Sequence, residues 1–319
     1  MPSPEKRRHV VGVDLGGTQV RAACVTEGGV VIRSCRLATA KDNGPDRIVA
    51  QIENLVASVR DDDTVAIGIG VPGAFDRERG IVLGIPALAG FTGLPLAQRL
   101  SESTGLPSVL ENDATAAAIG EWRAGAGRNC ENFVYVTIST GIGAGVIVDG
   151  RVMRGARGLA GEVGHTRISD STDQCSCGQV GCWEAVASGT ALGRRARDAV
   201  ADAPDGVIAT FAGGRPASAY HVGLAARRGD ARALQLLDEH ARWIAYGLVN
   251  VQHAYAPDRI VIGGGLSELL DLMSERIEEV VRQRRLPGFP DIPIVAAELG
   301  DNAGMVGAAL QASWMVSAS

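Results

Sequence analysis

The chain has 319 residues, 46% of them hydrophobic and 21% charged, enough to bury more than one core and too apolar to read as disordered. A net charge of −5 gives no electrostatic reason to bind nucleic acid or an anionic membrane, and no apolar run reaches the length of a membrane span. Six cysteines without a signal-peptide pattern point to a cytoplasmic protein with reduced thiols. Lys6-Arg7-Arg8 reads as a solvated tail.

The first element is a β-rich run, Val10 to Asp14, that leads into Gly16, Gly17 and Thr18 and is followed by a second run from Val20 to Val25. β-branched residues on both sides of the glycines predict strand–turn–strand, unlike a Rossmann or P-loop unit, where a helix follows the glycines. Pro45 suits a first helical turn, and Ile48, Ile52, Leu55, Val56 and Val59 then recur at helical spacing. A β-like run ends at Leu110, and Glu111-Asn112-Asp113 joins it to an alanine-rich helix from Ala114 to Trp122. Read by position alone, an aspartate there is a helix cap.

Phe133 to Ile138 then leads into Ser139-Thr140-Gly141-Ile142-Gly143-Ala144-Gly145, with Val146 to Val148 beyond. This repeats the first hairpin about 120 residues later and suggests a duplicated α/β domain with a nucleotide between the halves. Ala203 to Ser218 reads as a surface loop. Leu237, Ala241, Ile244, Leu248 and Val251 form a long apolar stripe that stops before Pro257. Arg259 to Ile262 is a strand running into Gly263-Gly264-Gly265, and Glu268 to Arg285 is an amphipathic helix.

Cys175, Cys177 and Cys182 lie within one short stretch, with His165 ten positions upstream of the first. Three thiols and an imidazole are the donors of a closed tetrahedral zinc site, which leaves no open position for water and is therefore structural. Gly178 and Gly181 permit the tight backbone path that brings the sulfurs together. A disulfide is the competing reading, and Cys175 and Cys177 are too close in sequence to pair comfortably. Cys24, Cys35 and Cys130 are scattered and read as reduced packing residues.

The ordered set Asp14-Leu-Gly16-Gly17-Thr18, Gly68-Ile-Gly70-Val-Pro72-Gly73, Glu111-Asn112-Asp113-Ala114, Thr140-Gly141-Ile-Gly143-Ala-Gly145, Gly161-Glu162-Val-Gly164-His165, the cysteine cluster with Glu184, and Gly263-Gly264-Gly265 resembles sugar kinases of the ROK family. The resemblance runs from residue 11 to Gly307-Ala308-Ala309. It implies an α/β, actin/hexokinase-like (ribonuclease H-like) fold of two duplicated domains with an interdomain cleft. The implied domains are 1–118 with 304–319, and 119–303 carrying the zinc.

The implied activity is transfer of the γ-phosphate of ATP to the 6-hydroxyl of a hexose, with glucose foremost. N-acetylmannosamine, N-acetylglucosamine and fructose are alternative acceptors, and polyphosphate is an alternative donor. Asp113 corresponds to the general base, and Gly73, Asn112, Asp113, Glu162, His165 and Glu184 to sugar-binding positions. Asp14, Gly16, Gly17, Thr18, Gln19, Thr140, Gly141, Gly143, Gly145 and Gly264 correspond to the nucleotide site, with Asp14 holding Mg²⁺ through water. Glycines there let backbone N–H groups approach phosphate oxygens. His165, Cys175, Cys177 and Cys182 are the implied zinc ligands, one nitrogen of His165 facing the metal and the other the sugar. Loss of Cys177 is then expected to damage sugar binding while leaving ATP binding largely intact.

Two positions depart from the family pattern. Pro86-Ala87-Leu88 stands where Pro-Asn-Leu is common, and Gln19 replaces a frequent lysine. The family also contains sugar-sensing repressors, whose helix-turn-helix domain needs some tens of residues before the first glycine loop. Only nine or ten residues precede the first strand here, which favours the enzyme. A homodimer or homotetramer is expected from the resemblance.

Overall fold

A computed structural model describes residues 8–85 and 88–317; Pro86 and Ala87, where the family asparagine is replaced, lie outside the described residues. In chain order the elements are β1 (His9–Leu15), β2 (Gln19–Thr26), β3 (Val31–Ala38), α1 (Gly44–Val59), β4 (Thr64–Val71), β5 (Ala74–Asp76), β6 (Ile81–Gly84), α2 (Leu96–Thr104), β7 (Ser108–Asn112) and α3 (Asp113–Ala124). There follow β8 (Phe133–Ile138), β9 (Ile142–Val148), β10 (Arg151–Val152), α4 (Trp183–Ala187), α5 (Gly189–Asp202), α6 (Val207–Ala212), α7 (Ala219–Arg227), α8 (Ala231–Tyr255), β11 (Arg259–Gly263), α9 (Leu270–Arg284), β12 (Ile294–Ala296) and α10 (Ala303–Ser317). None of the helices is long and apolar enough to cross a membrane among the described residues.

The duplication expected from the two glycine hairpins is present in the strand order. The first sheet runs β3-β2-β1-β4-β7 and the second β10-β9-β8-β11-β12, so each hairpin contributes the central strand of its sheet. β1 pairs antiparallel with β2 and parallel with β4, which pairs parallel with β7. In the second sheet β10 is antiparallel to β9, and β12 is parallel to β11.

The chain divides into two compact units, Met1–Tyr135 with Gly145–Gly161 and Ala297–Ser319, and Val136–Ala144 with Glu162–Ala296. In the core of the first unit α10 packs on β1, β4 and α3 at backbone distance. A Cβ on Gly12 would lie 1.8 Å from the Met305 carbonyl oxygen, one on Gly68 1.8 Å from that of Ala308, and one on Gly307 1.6 Å from that of Ala116. Val10, Ala23, Ile119, Val306 and Leu310 fill the remaining space of that layer. On the other face of the sheet, α1 presents Ile48, Ile52, Leu55, Val56 and Val59, as the helical spacing predicts.

One element departs from the sequence reading. The stretch 203–218 contains α6, six residues beginning Val207-Ile208, capped by Gly213 at φ +58°. A single helical turn and a half gives too few repeats for periodicity to show. β3 is an outer strand of its sheet with most residues exposed, so it carries no apolar alternation.

Candidate active site

In the first unit the parallel register sets the site. Asp14 on β1 lies beside Gly70 on β4, and Gly70 and Val71 lie beside Glu111 and Asn112 on β7. Asp14, Gly73, Asn112 and Asp113 therefore gather at the carboxyl ends of three strands, the edge where open α/β sheets bind ligands. Gly73 is exposed and turns the chain out of β4 with φ +93°.

The β1–β2 turn is closed by the Gly16 N–H, which donates to the Gln19 carbonyl at 2.9 Å, and by the Thr39 hydroxyl, which donates to the Gly16 carbonyl at 2.7 Å. Gly17 is half-buried and Thr18 exposed. Burial pushes the Asp14 carboxyl above the usual carboxylate range; Arg21, directly opposite on β2, pulls it down and Asp301 adds to the rise. Gln19 accepts from the Arg21 Nε and Nη2 at 3.3 and 3.2 Å, and Arg21 Nη1 donates to the Asp301 carbonyl at 3.1 Å. Where a lysine is common after the turn, this chain uses a neutral amide to orient a guanidinium two residues on. A cation beside Asp14 would favour its charged form, and Gly304, whose Cβ would stand 3.2 Å from its Cγ, keeps its surroundings open. The residues fit a hydrated Mg²⁺.

At the β7–α3 junction the helix cap is Asn112, whose Oδ1 accepts from the Thr115 N–H at 3.0 Å. Asp113 is the first residue of α3, and its Oδ1 accepts from the Ala114 N–H at 2.8 Å. The capping role that position alone suggested for Asp113 thus belongs to its neighbour. Behind both lies Glu111, only 3% exposed, whose Oε2 accepts from Arg154 Nε and Nη2 at 2.9 and 2.8 Å. Its Oε1 accepts from the Asn112 N–H at 3.2 Å, and Arg154 also reaches Gln311 at 2.7 Å. Sequence reasoning gave Glu111 no role and missed Arg154, since nothing in the chain marks a partner 43 residues away.

In the second unit, the β8–β9 turn carries Thr140 and Gly141, and Gly143 is the second residue of β9. Glu184, on α4, accepts from the Ile142 N–H at 3.0 Å, and a Cβ on Gly141 would meet its Oε2 at 2.4 Å. Gly264, at φ +80°, approaches the end of β8, where a Cβ would lie 2.6 Å from the Ile138 carbonyl. Gly145 has a different setting: a Cβ there would lie 2.4 Å from that of Ala118, so its smallness serves the approach of α3.

His165, Cys175, Cys177 and Cys182 converge, each offering a ligand atom within 4.8 Å of the others. His165 Nδ1 lies 3.4 Å from Cys175 Sγ, and the Cys177 and Cys182 sulfurs are 3.8 Å apart. Zinc–sulfur bonds of about 2.3 Å at tetrahedral angles place sulfurs about 3.8 Å apart, so donors and spacing fit that ion. Gly181 makes the loop possible: its φ is +75°, and a Cβ would lie 2.2 Å from the Ser169 carbonyl. Burial and the neighbouring thiols push the Cys182 thiol up to about 12, while the Gln179 backbone lowers that of Cys177. His165 Nε2 points the other way, 3.9 Å from the exposed Glu162 carboxylate.

Residues 10–314 match the model of the ROK family. The chain is 36% identical over 306 residues to the glucokinase of Streptomyces coelicolor, covering 94% of this chain and 96% of that one. It is 34% identical over 302 residues to the N-acetylmannosamine kinase of Yersinia pseudotuberculosis, covering 95% and 97%. A crystal structure of a ROK family glucokinase from Streptomyces griseus in complex with glucose and AMPPNP superposes with a TM-score of 0.85 at 35% identity, covering 96% of this chain and 99% of that one. The chain, with its two repeated sheets of the actin/hexokinase-like kind, belongs to the ROK family.

Proposed function

We propose that the protein is an ATP-dependent glucose kinase that transfers the γ-phosphate to the sugar's 6-hydroxyl. The observation that carries this reading is the likeness to glucokinases along nearly the full length of both chains, one of them bound to glucose and AMPPNP.

Asn112 and Asp113 of the first unit, the backbone at Gly73, and Glu162, His165 and Glu184 of the second are the proposed sugar ligands. Asp113 accepts the proton of the 6-hydroxyl as that oxygen bonds to the γ-phosphorus, while the bond from phosphorus to the β,γ-bridging oxygen breaks and ADP leaves. A carboxylate with a reference pKa of about 3.9 suffices, because it takes the proton only as the new bond forms. The turns at Gly16 to Gln19 and Thr140 to Gly143, with Gly264, are the proposed contacts for the nucleotide. Asp14 would hold Mg²⁺ through water, and the ion's chemistry is neutralisation of phosphate charge. His165 Nδ1 and the three thiolates would hold a structural zinc whose four positions are all taken. Cytoplasmic location and assembly as a homodimer or homotetramer belong to the same proposal and rest on family membership.

The test is a panel of glucose, mannose, fructose, N-acetylglucosamine and N-acetylmannosamine with ATP or polyphosphate, run on wild type and Asp113→Asn. Glucose with ATP should give the highest kcat/KM, and the variant should lose at least about a hundredfold in kcat while keeping glucose affinity. A variant retaining a tenth of wild-type turnover would remove Asp113 as the base. Preference for an N-acetylhexosamine would reassign the substrate.

A further inference from the structure

The segment from Cys182 to Thr190, directly after the last zinc-site cysteine, grips the β8–β9 turn at three points. The Gly189 N–H donates to the Ser139 carbonyl at 2.7 Å, the Thr190 hydroxyl donates to the Thr140 carbonyl at 2.7 Å, and the Ile142 N–H donates to Glu184 Oε2 at 3.0 Å. The first is backbone to backbone; the other two depend on side chains, and of these Glu184 has the longer reach to swing away. The other oxygen of Glu184 accepts from the Ser176 hydroxyl at 2.6 Å and lies 3.6 Å from Cys175 Sγ. Ser176 sits between two of the proposed zinc ligands. A metal-bound Cys175 has no S–H to donate, which leaves Ser176 as the donor to that oxygen.

The base of α4 is rigid. Trp183 is fully buried, its indole N–H donates to the Trp243 carbonyl at 3.0 Å, and its ring occupies the space above Gly247. Arg194 and Arg195 donate to the Ala185 and Val186 carbonyls at 3.2 and 2.8 Å. With the helix fixed, the position of the Glu184 carboxylate is set by Ser176 at one oxygen and used by the turn at the other.

We propose that Ser176 is a positioning residue for the nucleotide site: through Glu184 it holds the β8–β9 turn in its binding shape, so the zinc loop governs ATP affinity as well as sugar affinity. This rests on the reading of that turn as a nucleotide contact. It differs from the expectation that the loop serves the sugar alone, because the loop and the turn share one carboxylate. A carboxylate offers about four acceptor sites, so two hydrogen bonds to the protein still leave room for sugar hydroxyls.

Ser176→Ala and Ser176→Thr, each loaded with zinc, separate this from a general structural role. Hydrogen exchange of the peptide spanning 139–142 reads the turn directly. Calorimetry with Mg²⁺ and AMPPNP reads nucleotide affinity, and metal analysis reads zinc content. Ser176→Ala should exchange faster at the Ile142 amide and bind AMPPNP about threefold to tenfold more weakly, the size of one typical net hydrogen bond. Ser176→Thr should restore both, and zinc content should match wild type in all three proteins. Unchanged exchange in Ser176→Ala overturns the proposal at the clamp. Faster exchange with unchanged AMPPNP affinity overturns it at the nucleotide link. Failure of wild type to bind AMPPNP would instead strike the reading of the turn as a nucleotide contact.

Discussion

Replacing Arg154 with methionine tests whether the proposed active-site edge of the first unit is held from behind by a buried ion pair. Glu111 is 3% exposed and takes two hydrogen bonds from Arg154 on a single oxygen. Removing one partner of such a pair leaves an uncompensated buried charge and typically costs about 3–5 kcal/mol. Arg77, whose Nη2 lies 3.9 Å from the same oxygen, partly covers the loss, so the lower end of that range applies. At about 2–4 °C per kcal/mol for a chain of this order, Tm should fall by roughly 6–12 °C.

Turnover should fall too, because the other Glu111 oxygen holds the Asn112 N–H and Asp113 follows immediately. A displacement of about 1 Å at a reacting group can cost about a hundredfold in rate. Glu111→Gln combined with Arg154→Met removes the stranded charge, and in a double-mutant cycle the pair should couple by at least about 1 kcal/mol. Thermal unfolding, urea unfolding and kcat on the four proteins are the assays. If Arg154→Met keeps wild-type Tm and kcat, the pair neither stabilises this edge nor positions Asp113.

Gly68→Ala should destabilise by at least about 1–3 kcal/mol in urea unfolding, since the added carbon meets a carbonyl oxygen at 1.8 Å and backbone must move; an equally stable variant refutes the packing of α10 on β4. His240 is fully buried, and burial, with the Arg195 guanidinium that donates to its Nδ1 at 2.9 Å, holds its pKa down at about 3. A lowered base contributes stability above its unfolded pKa of about 6.5 and loses it as pH falls from there toward 3. Between pH 7 and pH 5 wild type should therefore lose about 2 kcal/mol more than His240→Gln, and parallel pH profiles for the two would refute the neutral buried imidazole.

How far the fold and site could be read depended on how special each feature's residues are. The two glycine hairpins showed because β-branched runs flank them, and their repetition suggested a duplicated α/β domain, which the like strand orders of the two sheets display. The proposed zinc loop showed because three cysteines and a histidine at close spacing have few other uses. Gly68 was legible as a motif member but not for its reason: it sits inside β4, where its missing Cβ admits α10, rather than in a turn. The supporting layer was invisible. Glu111, Gln19 and Glu184 stood out as motif or site residues, but their partners Arg154, Arg21 and Ser176 are ordinary polar residues whose meaning comes only from three-dimensional neighbours. That asymmetry has a physical cause. Groups that touch phosphate, sugar or metal need particular chemistry at particular spacings, whereas many residue types can hold such groups in place. Of these, Ser176 bears most on function, because the carboxylate it orients is shared by the turn at Ile142 and the proposed sugar site.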